Sequence, residues 1–226
     1  MIPLRDDIPI RRTPIVTLLF MVANISVFAW QIQGAPSFMD SVLLLGLIPA
    51  EFWNPNTLPY ALVATFTSMF AHGSFLHIGS NLLYLWIFGN NVEDVMGRGR
   101  FFLFYLLCGI GAVVAQVLAA PTSTIPMVCA SGAISGLLGA YLLLFPRAPV
   151  PAPIPIFFFI RLTWVPAALF IVLWLALQIL GGMATHPGQG GVAFWAHVGG
   201  AVAGMVFLRP FLPSSIRSIR RRPVWY

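Results

Sequence analysis

Charge is the scarcest property of this chain. Only 8% of its 226 residues are Asp, Glu, Lys or Arg, whereas 59% are hydrophobic. Soluble domains carry roughly a quarter charged residues, and a soluble fold of this size with so little polar surface would not stay in solution. Intrinsic disorder is excluded as well, because disordered chains combine low hydrophobicity with high charge. The composition therefore predicts a helical protein that crosses a membrane several times.

Lysine is absent. All twelve basic residues are arginine, and with six acidic residues they leave a formal net charge of +6. A nucleic-acid-binding face would need these arginines clustered on a soluble surface. They stand instead singly or in short runs between apolar stretches, so we expect no nucleic-acid partner. Abundant Arg, Pro, Gly and Ala without Lys is typical of a GC-rich bacterial genome, which favours the cell membrane as the location.

Cysteine is also scarce, with only Cys108 and Cys129 in the chain. Two cysteines in apolar surroundings provide neither a disulfide framework nor the spacing of a zinc site. The pair His72 and His77 is not accompanied by a ligating acid or by an H-E-x-x-H pattern. The sequence therefore predicts neither a bound metal nor another cofactor.

Six apolar segments are each long enough to form a helix. They predict an all-α membrane protein, a bundle of six transmembrane helices over residues 13–212, with spans at 13–33, 75–91, 100–119, 131–145, 165–183 and 194–212. Residues 34–74 form a long outer loop whose composition suits an element lying partly in the membrane interface. Residues 146–164 alternate proline with apolar residues and cannot continue a helix.

The arginines predict the orientation of these spans. With six spans, all twelve arginines fall on the side of the two termini, and the opposite loops have none. The positive-inside rule makes that side cytoplasmic. Residues 1–12 are then a cytoplasmic N-terminal segment, and residues 213–226 are a basic cytoplasmic tail. On the same side we expect Glu93 and Asp94 to pair with Arg98 or Arg100.

Four polar residues lie at a common depth in spans two, four and six. Along the helix axis, His77 and Ser131 lie about 24 Å from the cytoplasmic end of their spans, and Asn81 and His197 lie about 18 Å from it. In a hydrocarbon core about 30 Å thick, all four lie below the outer face. Intramembrane histidines are rare and usually functional. The matched depth predicts one polar site built from three helices.

Small residues predict how two of these spans meet. Gly132 and Gly136 form a G-x-x-x-G pattern after Ser131, and Gly200 and Gly204 form another after His197. Such patterns allow helix backbones to approach closely in a membrane. Packing of spans four and six would bring the Ser131 hydroxyl within hydrogen-bonding reach of His197, the arrangement of an activated nucleophile.

Three stretches taken in order, HGSFLHIGSNLLYLWIFGNNVEDVMG, ASGAISGLLGAY and AHVGGAVAG, resemble the rhomboid family of intramembrane serine proteases. The resemblance covers most of residues 70–205. It implies a Ser–His dyad without a third acid, in a six-helix core open to water from outside. Ser131 matches the nucleophile and His197 the general base, while His77 and Asn81 match the side chains that donate to the oxyanion. The implied partners are transmembrane protein substrates and the lipid itself.

The chain departs from the family pattern at two positions. Cys129 stands where the family has the first glycine of G-x-S-G, and Ser135 stands where the family often has an aromatic residue packed on the catalytic histidine. Neither departure removes a catalytic group, and we expect an active enzyme.

Two alternatives come from other functional classes. The first is a rhomboid-like protein that binds membrane clients without cutting them. The second is a cytochrome or transporter that uses His77 and His197 as haem ligands or proton relays. The remaining histidines, His72 and His186, are expected to be solvated loop residues near the outer interface.

Overall fold

Helices make up most of the chain. The computed structural model describes residues 8–128, 130–156, 159–185 and 191–217. The helices are α1 (Ile15–Gln33), α2 (Phe38–Leu45), a 3₁₀ helix (Pro49–Trp53), α3 (Leu58–Thr67), α4 (Phe75–Tyr84), a π-helical turn (Leu85–Gly89), α5 (Asn90–Met96), α6 (Arg98–Ala119), α7 (Ala130–Leu144), α8 (Ala167–Ala184), α9 (Phe194–Phe211) and α10 (Ser214–Arg217). Between α7 and α8 lies a hairpin of β1 (Pro149–Ile156) and β2 (Phe159–Pro166).

All six predicted apolar segments are helical. Among the described residues, α1, α6 and α8 are long and apolar enough to cross a membrane. These three helices expose many large apolar side chains, such as Leu19, Leu118 and Leu180, each at least 60% exposed. An apolar outer surface of this kind suits lipid rather than water. The mostly helical membrane fold predicted from composition is therefore present.

The predicted outer loop, residues 34–74, is largely helical. It contains α2, the 3₁₀ helix and α3, and Leu44 and Tyr60 are among its exposed apolar side chains. Leu47 pairs with Met127 through two backbone hydrogen bonds, of 2.9 and 2.8 Å. Since Met127 lies three residues before α7, the loop fastens the segment that leads into this helix.

The second predicted span is not one regular helix. It consists of α4 and α5 joined by the π-helical turn Leu85–Gly89. A π turn adds a residue to the helical repeat and is often found near functional sites. Gly97 then separates α5 from α6 with a φ of 80°, a conformation that L side chains rarely adopt.

The β hairpin departs from the predicted all-α fold. Its strands are antiparallel, with Pro149 opposite Pro166 and Ile156 opposite Phe159. Prolines stand at every second position of β1 and have no backbone N–H group. Because backbone N–H positions alternate between the two edges of a strand, all the positions without N–H can lie on the edge away from β2. The alternation was correctly interpreted as non-helical, whereas the pairing with the following residues was missed.

The core lies where α9 packs against α6 and α7. A Cβ atom added to Gly204 or Gly200 would overlap the backbone carbonyl of Gly136 or Gly132, respectively. The two G-x-x-x-G strips are thus in direct contact, as predicted. Aromatic residues also fill the interior, with Tyr105 of α6 and Tyr141 of α7 fully buried.

Among the described residues, Glu93 and Asp94 bind the start of α1 and the residues just before it, not Arg98 or Arg100. The Glu93 carboxylate accepts hydrogen bonds from Val16 N (3.0 Å), Thr17 N (2.8 Å) and Thr17 Oγ1 (2.8 Å). Asp94 accepts from the backbone N–H groups of Arg11 and Arg12. A helix N-terminus presents unpaired N–H groups and a positive dipole end, so it attracts carboxylates. The predicted pairing with Arg98 or Arg100 was wrong for this reason.

We expect Glu93→Gln to destabilise the protein by about 1–3 kcal/mol, because an amide nitrogen would replace one accepting oxygen and leave buried donors at the start of α1 unpaired. Thermal unfolding in detergent measures the change. Glu51→Gln is the matched control, since within the described part of the chain Glu51 forms hydrogen bonds through its backbone and none through its side chain. Equal melting temperatures for the two variants would contradict the role of Glu93.

Candidate active site

Ser131 lies in the first turn of α7. Its side chain is half-buried, and its position follows from the Leu47–Met127 pairing that holds the preceding segment. The first N–H groups of a helix have no intrahelical partner, so the start of α7 provides backbone donors beside the hydroxyl. Cys129, the first departure from the expected pattern, lies outside the described residues.

His197 lies in the first turn of α9 and contacts Ser131 directly. The distance from His197 Nε2 to Ser131 Oγ is 2.7 Å. A hydrogen bond joins the start of α9 to α6: Ala196 N of α9 donates to Gln116 Oε1 of α6 over 3.1 Å. The contact between the two side chains, which the glycine patterns predicted, follows from the close packing of α7 on α9 at Gly132 and Gly200.

His77 and Asn81 lie one turn apart on α4. Ser74 caps this helix by accepting a hydrogen bond from His77 N. Gly73 N donates to His77 Nδ1 over 3.3 Å, so in the neutral ring Nε2 carries the proton and remains a donor. Asn81 Nδ2 is buried and has no hydrogen-bond partner among the described residues. A buried unpaired donor is costly, which fits a group that pairs with a ligand atom.

These four side chains line one cavity of about 760 Å³. Its walls include Ser131, His197, His77 and Asn81, and also Trp174 of α8. Within the described ranges, no three His, Cys, Asp or Glu side chains are grouped closely enough to hold a metal ion. The site thus unites a hydroxyl, an imidazole and two further donors, and the ring nitrogen in contact with the hydroxyl is His197 Nε2.

The prediction for His72 was wrong. The residue is fully buried, not solvated. Its backbone N–H donates to Gln31 Oε1 (3.0 Å), and its carbonyl accepts from Gln31 Nε2 (3.2 Å). The ring lies 5.2 Å from the His77 ring. Burial, followed by the positive charge of His77, lowers the pKa of His72 to about 4, so this histidine is neutral at pH 7. Gln31, a polar side chain near the end of an apolar run, was the available signal. His186 lies outside the described residues.

Gln178 and Trp174 of α8 were also missed. Gln178 Oε1 lies 2.7 Å from His197 Nδ1, and the Trp174 ring lies 5.7 Å from the His197 ring. Gln178 is the only amide side chain in α8, and a polar residue in such an apolar helix is a recognisable signal. Both ring nitrogens of His197 are engaged, one by Ser131 and one by Gln178.

Ser135, the second departure, lies one turn after Ser131 and is buried. Its hydroxyl donates to the carbonyl oxygen of Ser131 over 2.6 Å. The side chain is therefore satisfied by its own helix, and the aromatic ring near His197 comes from α8 instead.

The similarity of this chain to known proteins covers the part that contains the site residues. The sequence pattern of the Rhomboid domain matches residues 59–214. Rhomboid protein 1, mitochondrial, of Saccharomyces cerevisiae is 30% identical over 196 residues, which cover 81% of this chain and 49% of that protein. Rhomboid protease GluP of Bacillus subtilis is 32% identical over 136 residues, which cover 57% of this chain and 24% of that protein. Rhomboid-like protein 11, chloroplastic, of Arabidopsis thaliana is 41% identical over 71 residues, covering 31% and 25%. The chain spans half or less of the length of these relatives.

Proposed function

Because the chain belongs to the rhomboid family, we propose that it is an intramembrane serine endopeptidase that cleaves other membrane proteins with a Ser131–His197 dyad. The observation that carries this proposal is the 2.7 Å contact between Ser131 Oγ and His197 Nε2 in a cavity that also holds two unused donors. A serine hydroxyl is a weak nucleophile until a neighbouring imidazole takes its proton.

The first half of the reaction forms an acyl-enzyme. His197 Nε2 takes the proton of Ser131 Oγ as Oγ attacks the carbonyl carbon of the scissile peptide. Negative charge then develops on the carbonyl oxygen. The donors for it are His77 Nε2–H, Asn81 Nδ2–H and the Ser131 backbone N–H, and preorganised donors of this kind contribute about 2.7–4 kcal/mol each. As the C–N bond breaks, protonated His197 gives the proton to the leaving amine.

The second half releases the acyl group. Water enters the cavity, His197 takes one of its protons, and the resulting hydroxide attacks the ester carbon. The same donors bind the oxyanion, and the proton returns to Ser131 Oγ as the ester bond breaks. His197 alone handles both protons, so the reaction needs no acidic side chain in the membrane.

Substrate class follows from the depth of the site. We place Ser131 in the outer part of the membrane, within a six-span domain over residues 13–212 whose termini face the cytoplasm of a cell membrane. A peptide bond inside a regular helix is shielded by its own hydrogen bonds, so substrates need Gly, Pro or small residues near the scissile bond. We expect the substrate to enter the cavity from the side of α8, because this helix is sparsely packed. Its buried residues are Ala167, Phe170, Ile171 and Gly182.

A fluorophosphonate probe tests this function without knowledge of the substrate. We expect the purified protein in detergent to be labelled at Ser131, located by mass spectrometry, and His197→Ala to lose labelling by about 10³-fold or more. Heat-denatured protein is the control for non-specific labelling. Absence of labelling in folded protein would reject the protease and favour a client-binding rhomboid-like protein, for which the departure at Ser135 is the supporting observation.

A further inference from the structure

Gln178 connects α8 to the candidate dyad through both ends of its amide. Its Nε2 donates to the carbonyl oxygen of Trp174 over 3.2 Å, and its Oε1 lies 2.7 Å from His197 Nδ1. A backbone carbonyl only accepts, so the Trp174 contact fixes which end of the amide is nitrogen. The oxygen therefore faces His197.

The orientation of this amide determines the tautomer of His197. Since Gln178 Oε1 can only accept, His197 Nδ1 must carry a proton and donate it. In the neutral imidazole the other nitrogen, Nε2, then has a lone pair, and this lone pair faces Ser131 Oγ at 2.7 Å. The opposite tautomer would place a proton between Nε2 and the hydroxyl and could not accept the serine proton.

We infer that Gln178 is a positioning residue that holds His197 in its base-competent tautomer, an inference that rests on the proposed protease function. It acts through His197 and does not touch the reacting atoms. In serine proteases that use a catalytic triad, a carboxylate holds the histidine in this tautomer. A neutral amide does so here with no buried charge, and a buried charge in a membrane is costly.

Trp174 is a second residue of α8 that contacts His197. Its ring lies 5.7 Å from the His197 ring with an interplanar angle of 36°, on the same helix as Gln178. The position one turn after Ser131, from which a larger side chain could have contacted His197, is occupied by Ser135. Beside the Ser131 contact from α7, the orientation of His197 thus depends on two contacts from α8, and a displacement of α8 would release both of them together.

Gln178→Met tests the inference, because methionine keeps the length and packing of the side chain but has no accepting oxygen. We expect the rate of fluorophosphonate labelling at Ser131 and kcat for a transmembrane reporter to fall by about 10–100-fold, with KM unchanged. Gln178→Glu retains an accepting oxygen, so we expect this variant to keep at least a third of the wild-type labelling rate. Leu177→Met, on the adjacent exposed position of α8, controls for the new thioether.

The tautomer itself is measured from the ¹⁵N chemical shifts of His197. Wild type and Gln178→Glu are expected to show a protonated Nδ1, and Gln178→Met a mixture of tautomers. An unchanged labelling rate in Gln178→Met would overturn the inference, and so would an equal loss in the Met and Glu variants, which indicates a packing role only. If the wild type is not labelled, the protease function fails, whereas the ¹⁵N shifts still decide whether Gln178 sets the tautomer.

Discussion

Replacement of Ser131 with alanine is expected to reduce cleavage of a transmembrane reporter by about 10⁴-fold or more. The hydroxyl forms the covalent intermediate, and the methyl group of alanine cannot form that bond. The donors of His77 and Asn81 remain, but donors that stabilise an oxyanion have no effect when no oxyanion forms. The reporter should carry a Gly-containing transmembrane segment and be reconstituted with the enzyme in lipid vesicles, with cleavage followed on a gel.

Ser68→Ala is the matched control for this variant. Ser68 is a buried serine at the end of α3, outside the cavity, and its hydroxyl faces the carbonyl oxygen of Thr65 at 3.5 Å. We expect its activity to stay within threefold of the wild type. Cleavage by Ser131→Ala within tenfold of the wild type, with unchanged melting temperature, would mean that another residue is the nucleophile.

The second large effect is expected from Gly204→Val, which should abolish the folded state in detergent or lower its stability by roughly 3 kcal/mol or more. A Cβ at position 204 overlaps the O, C and Cα atoms of Gly136, so a side chain meets backbone and cannot be relieved by a rotamer change. The helices α7 and α9 would have to separate. Because they carry Ser131 and His197, separation would also break the 2.7 Å contact and the activity.

Gly99→Ala separates this packing effect from a general effect on glycine. A Cβ at position 99 of α6 meets no atom within 4 Å. Alanine in a helix is favoured over glycine by about 0.5–1 kcal/mol, so this variant is expected to be as stable as the wild type or slightly more stable. Thermal unfolding in detergent compares the two. A cooperative transition of Gly204→Val at the wild-type temperature would contradict the backbone contact between α7 and α9.

Local patterns were sufficient for the helices and for the principal contact of the site. Apolar runs of helical length predicted all six helical segments, because burial of apolar side chains in lipid depends mainly on composition and length. The two G-x-x-x-G strips predicted the packing of α7 on α9, since small residues on one face define where backbones can approach. The site then followed from Ser131 and His197, each at the start of its own strip.

Contacts between distant segments were not available from such patterns. Glu93 binds the start of α1, more than seventy residues earlier in the chain. His72 is buried and its backbone is hydrogen-bonded to Gln31, and the proline-rich segment pairs with the residues that follow it. In each case the partner is determined by which elements lie side by side, and the residue types alone admit several partners.

The sequence by itself determined the membrane class, the six apolar helical segments and the interface of α7 with α9, because composition and spacing are local properties. It also predicted that Ser131, His197, His77 and Asn81 lie together, and these residues line one cavity. Only the tertiary structure decided how His197 is oriented. That orientation depends on Gln178 and Trp174, which lie on a different helix and make hydrogen bonds and ring contacts of specific direction. Hydrogen bonds require particular atoms at about 3 Å, and only the packing of α8 against α9 sets that distance.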